Sequence, residues 1–128
     1  MKKKFIKVLK VAPGKEPEVV TLQNNLEALQ EAVSIGASHT GLIEIIEVDK
    51  DVCILCNEEG KLIDLEPNRK FFSDILCGVF YVTGQDKCGN LSSLPQHLIE
   101  QYTEVFKTPE HITPEEVNQT LAFRFYPY

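Results

Sequence analysis

The chain has 128 residues, of which 43% are hydrophobic and 25% charged, and its formal net charge is −6. This length and composition predict one globular domain over residues 1–128 and exclude a disordered or fibrous chain. No apolar stretch is long enough to span a membrane, and lysines interrupt the apolar N-terminal segment, so we expect a cytoplasmic protein without a signal peptide.

The charge is unevenly distributed along the chain. The first 15 positions hold no acidic residue but six of the 13 basic ones, namely Lys2, Lys3, Lys4, Lys7, Lys10 and Lys15. The rest of the chain is strongly acidic and should repel phosphate, so direct nucleic-acid binding is not expected. The basic arm either contacts an acidic partner or, more simply, keeps an edge strand from pairing with other chains.

The first half of the chain predicts a hairpin, a helix and a second hairpin. Pro-Gly and Asp-Lys-Asp turns separate the apolar runs, and a 3.6-residue apolar period marks the helix. The predicted elements are strands over 5–12 and 17–21, a helix over 25–34 capped by Asn24, and strands over 42–48 and 52–56.

The second half predicts one buried strand and two helix starts. Proline near each helix start and hydroxyl residues before it are typical N-terminal signals. The predicted elements are a turn at 57–60 followed by the segment 61–65, a central strand over 75–83, a helix capped by Ser92 or Ser93 with Pro95 in its first turn, a third helix starting at 113–116, and a last strand or docking tail over 121–126. Together they predict an α+β domain, with two main helices packed on one face of a mostly antiparallel sheet.

Four cysteines raise the possibility of a metal site. Cys53 and Cys56 have C-x2-C spacing, but on a strand such residues point to opposite faces. Cys77 and Cys88 do not form a second close pair, so only half of a zinc pattern is present. We therefore predict free thiols, with no metal and no cofactor.

Catalytic motifs are missing from the sequence. It contains no glycine-rich phosphate loop, no nucleophile elbow and no paired metal-binding histidines. The three histidines are scattered, and no base can be assigned to Cys56 as a nucleophile. We assign no catalytic residue and expect a protein that is not an enzyme.

A polar stretch in the middle of the chain is the best candidate for a ligand-binding site. Pro67 fixes the approach of the chain, Asn68 offers donors and an acceptor, and Arg69 offers a planar fork for carboxylate or phosphate. The candidate ligand-binding residues are Asn57, Glu58, Glu59, Lys61, Asn68 and Arg69. Two structural alternatives stay open, in which 57–60 is a plain hairpin end and Arg69 pairs with an acidic residue.

Several segments carry a resemblance to a known family. They are Val11–Val19 (VAPGKEPEV), Leu26–Val33 (LEALQEAV), Ile43–Val48 (IEIIEV), Cys56–Leu62 (CNEEGKL) with Pro67–Arg69 (PNR), and Gly78–Gly84 (GVFYVTG). The chain resembles a small domain family of unknown function that phages, plasmids and conjugative elements encode, mostly in Firmicutes and often near anti-restriction and replication genes. The resemblance covers residues 5–107 and implies a mobile-element setting without any catalytic residue. Residues 108–128 are expected to be a C-terminal extension particular to this chain.

These observations lead to a functional expectation with two alternatives. We expect a non-enzymatic accessory protein of a mobile element or phage that binds a protein partner or a small anionic ligand through the region from Asn57 to Arg69. One alternative is an acidic mimic of nucleic acid that acts against a host defence enzyme. The other is an enzyme on a nucleotide substrate, in which His39, Glu58 or Glu59, and Arg69 converge. Residues 121–128 could also pair with a second copy and form a homodimer.

Overall fold

The computed structural model describes residues 4–125, and side chains up to Thr120. Eight strands and three helices follow one another in these residues. They are β1 (Phe5–Val11), β2 (Glu18–Gln23), α1 (Leu26–Ala32), β3 (Ile43–Asp49), β4 (Val52–Asn57), β5 (Pro67–Phe71), β6 (Asp74–Cys77), β7 (Phe80–Gln85), β8 (Leu91–Ser92), α2 (Gln96–Val105) and α3 (Pro114–Phe125).

The main sheet is antiparallel throughout and has the strand order β2-β1-β7-β4-β3, with β8 on β7. Strands β5 and β6 form a separate two-stranded hairpin. The predicted α+β class with a mostly antiparallel sheet is confirmed. The two predicted hairpins, β1–β2 and β3–β4, are also confirmed. Short polar turns favour antiparallel pairing of the apolar strands that they connect.

The helices lie on both faces of the sheet, which corrects the prediction that two main helices share one face. Ile99 and Tyr102 of α2 pack on Ile54 and Val82. Alternate residues of a strand point to opposite faces, and Leu55 accordingly packs with Leu29 and Val33 of the α1 region. Strand β4 is buried along its whole length, so each face needs its own cover.

The segment 75–83, predicted as one central strand, is two strands broken at Gly78. This glycine has φ +81°, a conformation that favours residues without a Cβ. A Cβ there would also lie 2.8 Å from Leu65 Cδ1. The break allows β6 to pair with β5 while β7 enters the centre of the main sheet between β1 and β4.

Two helix starts differ from the prediction. The cap of α1 is Asn25, whose Oδ1 accepts from Ala28 N at 2.8 Å, whereas Asn24 is buried and donates to Leu91 O at 3.3 Å. The hydroxyl of Ser93 accepts from Lys7 N at 2.9 Å, so it is engaged by β1. Helix α2 therefore begins directly after Pro95, and no side chain caps its N-terminus.

The start of α3 is as predicted, and its end is different. Thr113 Oγ1 accepts from Glu116 N at 3.2 Å, which is the expected N-terminal cap. The helix continues through Leu121–Phe125, where the sequence predicted a last strand or a docking tail. Tyr126–Tyr128 lie outside the described residues, and the homodimer through 121–128 stays a prediction.

Strand β1 is not an edge strand, contrary to the simpler interpretation of the lysines. Phe5–Lys10 pair with β2, and Leu9–Val11 pair with β7. The remaining side is closed by the connection to α2, where Leu94 N donates to Lys7 O at 2.8 Å. Lys2 and Lys3 lie outside the described residues. Within the described part, no helix is long and apolar enough to cross a membrane.

Candidate binding cleft

The six candidate ligand-binding residues divide into two groups with different surroundings. Asn57, Glu58, Glu59 and Lys61 lie at the end of β4 and in the turns that follow it, over 58–64. That stretch of turns replaces the expected simple hairpin, because no strand follows until β5. Asn68 and Arg69 belong to β5 and are fully buried, at 0% exposure each.

Asn57 joins the end of β4 to the end of α1. Its Oδ1 accepts from Glu59 N at 2.9 Å, and its Nδ2 lies 3.4 Å from Val33 O and 3.5 Å from Ser34 Oγ. Gly41 packs directly on this side chain, because a Cβ there would lie 2.7 Å from Asn57 Nδ2. The side chain is 5% exposed, so its contacts are those of a structural tie.

The charged residues of this turn differ in exposure, and the side chain of Lys61 is only 9% exposed. Glu58 and Glu59 are exposed. Lys61 forms an ion pair with Asp74, the first residue of β6. The pair ties the turn to the β5–β6 hairpin. The prediction that these residues contact a ligand stays a prediction.

The guanidinium of Arg69 is held by backbone carbonyls. Nε and Nη2 donate to Phe106 O at 3.3 and 2.9 Å, Nη2 donates to Lys15 O at 2.6 Å, and Nη1 donates to Asn68 Oδ1 at 2.7 Å. Burial lowers the pKa of Arg69, and the nearby carboxylate of Glu110 acts in the opposite direction. Phe106 is the C-cap residue of α2, at a helix end where carbonyls lack helical partners and attract cations.

Asn68 links two further segments. Its Nδ2 donates to Val11 O at 2.9 Å and to Gly78 O at 2.8 Å. Its Oδ1 accepts a hydrogen bond from Nη1 of Arg69, so both the nitrogen and the oxygen of the side-chain amide are hydrogen-bonded. The pair Asn68–Arg69 thus connects the end of β1, the turn after it, the break before β7 and the end of α2.

A cleft of about 370 Å³ opens beside this pair. Two backbone segments that Asn68 and Arg69 hold border the cleft. Ala12, Pro13 and Lys15 come from the β1–β2 turn, and Gly78 and Val79 come from the break before β7. The other lining residues are Lys10, Ile35, Gly36, Asp64, Leu65 and Glu66. The buried amide and guanidinium thereby fix the walls of the cleft without reaching into it.

The cleft carries charges of both signs. Lys10 and Lys15 come from the β1–β2 side, and Asp64 and Glu66 from the loop before β5. Lys10 Nζ lies 3.9 Å from Glu18. Among the residues that the structure describes, the side chains of Lys15, Asp64 and Glu66 form no ion pair.

The backbone around the cleft is unusual. Gly36, Asp64 and Gly78 have φ values of +89°, +56° and +81°, and Gly14 in the adjacent turn has +73°. Strained or glycine-dependent backbone tends to gather at binding sites, where the surrounding structure holds it in place. Glu66 O accepts from Gly78 N at 2.7 Å, which closes the loop onto the floor of the cleft.

The other chemically active side chains are not among those that line this cleft. Cys53, Cys56 and Cys77 are buried cysteines and Cys88 is an exposed one, and burial raises the pKa of Cys77 to about 11. His39 is exposed and its ring hydrogen-bonds with Ser38. Within residues 4–125, no group of three or more His, Cys, Asp or Glu residues could hold a metal ion.

Most of the chain matches the model of a protein family. The model of the domain of unknown function DUF3846 matches residues 6–107. The chain belongs to the DUF3846 family. No curated protein and no solved structure matches it. The matched segment of this DUF3846 domain contains every residue that lines the cleft, whereas α3 follows the matched segment.

Sequence reasoning found the two residues that hold the cleft and missed those that line it. Lys10 and Lys15 were assigned to a basic arm, and Asp64 and Glu66 were not singled out. The chain does contain one signal for the lining residues. Positions 10–15 include the proline-containing segment VAPGK, and positions 64–66 lead into the proline-containing segment EPNR. Nothing local in the sequence indicates that these two segments meet.

Proposed function

We propose that this DUF3846 domain is a non-enzymatic binding protein that takes a small anionic ligand into the cleft beside Asn68 and Arg69. The supporting observation is a concave site whose walls are fixed by a buried side-chain pair. It also contains Lys15, which forms no ion pair with the residues that the structure describes. Pockets with few polar groups on a preformed frame are typical of small-ligand sites. Fixed walls also reduce the entropy that is lost on binding.

The side chains of Lys10 and Lys15 are the groups that would contact the anion. Lys15 is exposed, while its carbonyl oxygen is held by Arg69 at 2.6 Å. The backbone at Lys15 is therefore rigid and its ammonium group is available. Asn68 and Arg69 act as positioning residues in this proposal, in place of the direct contacts that the sequence predicted.

The cellular setting belongs to the same proposal. The resemblance of the PNR and VAPGKEPEV segments to proteins of phages and conjugative elements favours an accessory role in a mobile element. Buried cysteines that remain as thiols, such as Cys53 and Cys77, suit a reducing compartment such as the cytoplasm. Sequencing of the genes that flank this one would test the setting, since a gene embedded among housekeeping operons would contradict it.

The two alternative functions receive less support from the geometry. An enzyme that uses Arg69 on a nucleotide would need its guanidinium in solvent, but all of its hydrogen-bond partners are protein oxygens and its exposure is 0%. A mimic of nucleic acid would need a regular ribbon of acidic groups. A protein partner remains compatible with the exposed Glu58 and Glu59.

Native mass spectrometry of the purified full chain, repeated after denaturation, is the first test. A mass increment that is lost on denaturation identifies a retained ligand. Titration calorimetry with inorganic phosphate, acetate and 4-methylpentanoate then tests anion binding to the ligand-free protein. We expect at least one of these anions to bind with a one-to-one stoichiometry.

A matched pair of variants locates the binding. The double variant Lys10→Gln/Lys15→Gln should weaken the anion about tenfold or more, since a charge-assisted hydrogen bond contributes about 1.5–3 kcal/mol. Lys50→Gln, an exposed lysine in the turn after β3, should leave the affinity unchanged. The proposal is wrong if no ligand with a carboxylate or phosphate group binds, or if the double variant binds as tightly as the parent.

A further inference from the structure

The charges in the cleft are arranged by wall. The positive side chains, Lys10 and Lys15, both come from the β1–β2 hairpin, and the negative ones, Asp64 and Glu66, both come from the loop before β5. An anion that sits against the lysines would also lie within reach of two carboxylates that no cation of the described residues neutralises. That second wall would weaken the binding of a ligand with only negative charge.

The cleft also has apolar lining residues. Leu65 Cδ2 lies 3.9 Å from the position that a Cβ of Gly36 would occupy, and Ile35 and Val79 also border the cleft. Ile35 is 54% exposed, which leaves apolar area for a ligand to cover. The volume of about 370 Å³ is at the small end of the range for ligand sites.

We infer that the ligand is a small zwitterion of the amino-acid class. Its carboxylate lies against Lys10 and Lys15, its ammonium group lies against Asp64 and Glu66, and a short apolar side chain covers Leu65 and Ile35. This inference rests on the proposed function and names the ligand class of the same cleft. It requires a cationic group on the ligand, which the proposed function alone does not.

The backbone geometry supports the assignment of the ammonium subsite. Asp64 has φ +56°, a conformation that aspartate tolerates better than most residues but that still costs free energy. Its neighbour Leu65 is 6% exposed and packs against the floor at Gly78. The buried leucine fixes the loop, so the carboxylate of Asp64 is presented by a rigid backbone at the mouth of the cleft.

Three probes of matched shape test the inference. Leucine carries both charges, 4-methylpentanoate lacks the ammonium group, and 3-methylbutylamine lacks the carboxylate. The affinity of the full-length, ligand-free protein for each is measured by titration calorimetry, after a thermal-shift survey of the twenty amino acids. If another amino acid binds more tightly than leucine, its own deaminated and decarboxylated analogues replace these two probes.

We expect the amino acid to bind at least about tenfold more tightly than either analogue, because each lost charge removes one charge-assisted contact. The double variant Asp64→Asn/Glu66→Gln should remove the preference over the carboxylate and keep the preference over the amine. The double variant Lys10→Gln/Lys15→Gln should remove the preference over the amine and keep the preference over the carboxylate. Asn at position 64 retains tolerance of the left-handed conformation, so the fold should persist in the first variant, and its melting temperature checks this.

The outcomes separate the two proposals. If 4-methylpentanoate binds as tightly as leucine and the acidic-wall variant changes nothing, the zwitterion inference is overturned while the anionic site survives. If the amine alone binds, both are overturned. If none of the amino acids, carboxylates or amines binds, the cleft is not a small-ligand site and both are overturned as well.

Discussion

Arg69 and Phe106 are joined by two hydrogen bonds, because Nε and Nη2 of the guanidinium donate to the carbonyl oxygen at 3.3 and 2.9 Å. A buried cation thus stabilises the C-terminal end of α2, where carbonyl oxygens have no helical partner. The same Nη2 reaches Lys15 O at the rim of the cleft. The end of a helix on one face of the sheet and the wall of the cleft therefore depend on one side chain.

Replacing Arg69 by alanine should strongly destabilise the domain. The change leaves the carbonyls of Phe106 and Lys15 buried without that donor and opens a cavity, so we expect the free energy of unfolding to fall by about 3 kcal/mol or more. Urea denaturation measures this. Lys70→Ala is the control, since its ion pair with Glu116 is exposed and should contribute little. An Arg69→Ala protein with parental stability and lost ligand affinity would instead make Arg69 a direct ligand contact.

Gly78 should tolerate alanine much less than Gly14 does. Both have positive φ, +81° and +73°, so each substitution carries a backbone cost of about 1–2 kcal/mol. Only at Gly78 does the new Cβ meet a neighbour, Leu65 Cδ1 at 2.8 Å, while at Gly14 nothing lies within 4 Å. The free energy of unfolding of Gly78→Ala should therefore fall by about 1 kcal/mol or more beyond that of Gly14→Ala. Equal losses would show that the packing contact is unimportant.

Thr83→Val should stabilise the protein. The hydroxyl oxygen of Thr83 is buried and has no hydrogen-bond partner among the described residues, and burial of an unpaired hydroxyl costs about 1–3 kcal/mol. Valine has nearly the same shape, so we expect the free energy of unfolding to rise by about 1 kcal/mol. Thr21→Val, at an exposed position of β2, is the matched control. A loss of stability at position 83 would mean that the hydroxyl has a partner, such as a bound water molecule.

Stability should decrease in alkaline solution. Burial raises the pKa of Cys77 from 9.0 to about 11 and that of Tyr81 from 10.0 to about 12. Above the lower value of each pair the unfolded chain loses a proton that the folded protein keeps. Below pH 9.0, the ionisation of Cys77 therefore does not lower the free energy of unfolding. Above that pH, the free energy of unfolding falls as the pH rises towards about 11.

Part of the decrease in the free energy of unfolding with pH can be assigned to Cys77. Each such group contributes about 1.4 kcal/mol per pH unit within its window. Denaturation of Cys77→Ala between pH 8 and about 11 should show a shallower decrease than the parent, whatever its stability at neutral pH. Cys88→Ala, which removes an exposed thiol, should keep the parental slope. Parallel curves for the parent and Cys77→Ala would assign the decrease to other groups.

The sequence determined the local elements of this domain and its fold class. Short polar turns between apolar runs specified the hairpins β1–β2 and β3–β4, and Thr113 with Glu116 specified the start of α3. These features depend on residues within a few positions of each other, whose hydrogen bonds and apolar period are readable without knowledge of the rest of the chain.

The tertiary structure decided everything that depends on distant segments. Gly78 divides an apolar run that looks like one strand, because β6 and β7 belong to different sheets. Asn68 and Arg69 were recognisable as special, but their role depends on carbonyls 57 and 37 positions away in the chain, at Val11 and Phe106. The cleft arises where those segments meet, and since no local pattern records which buried donor will find which carbonyl, only the packed structure reveals it.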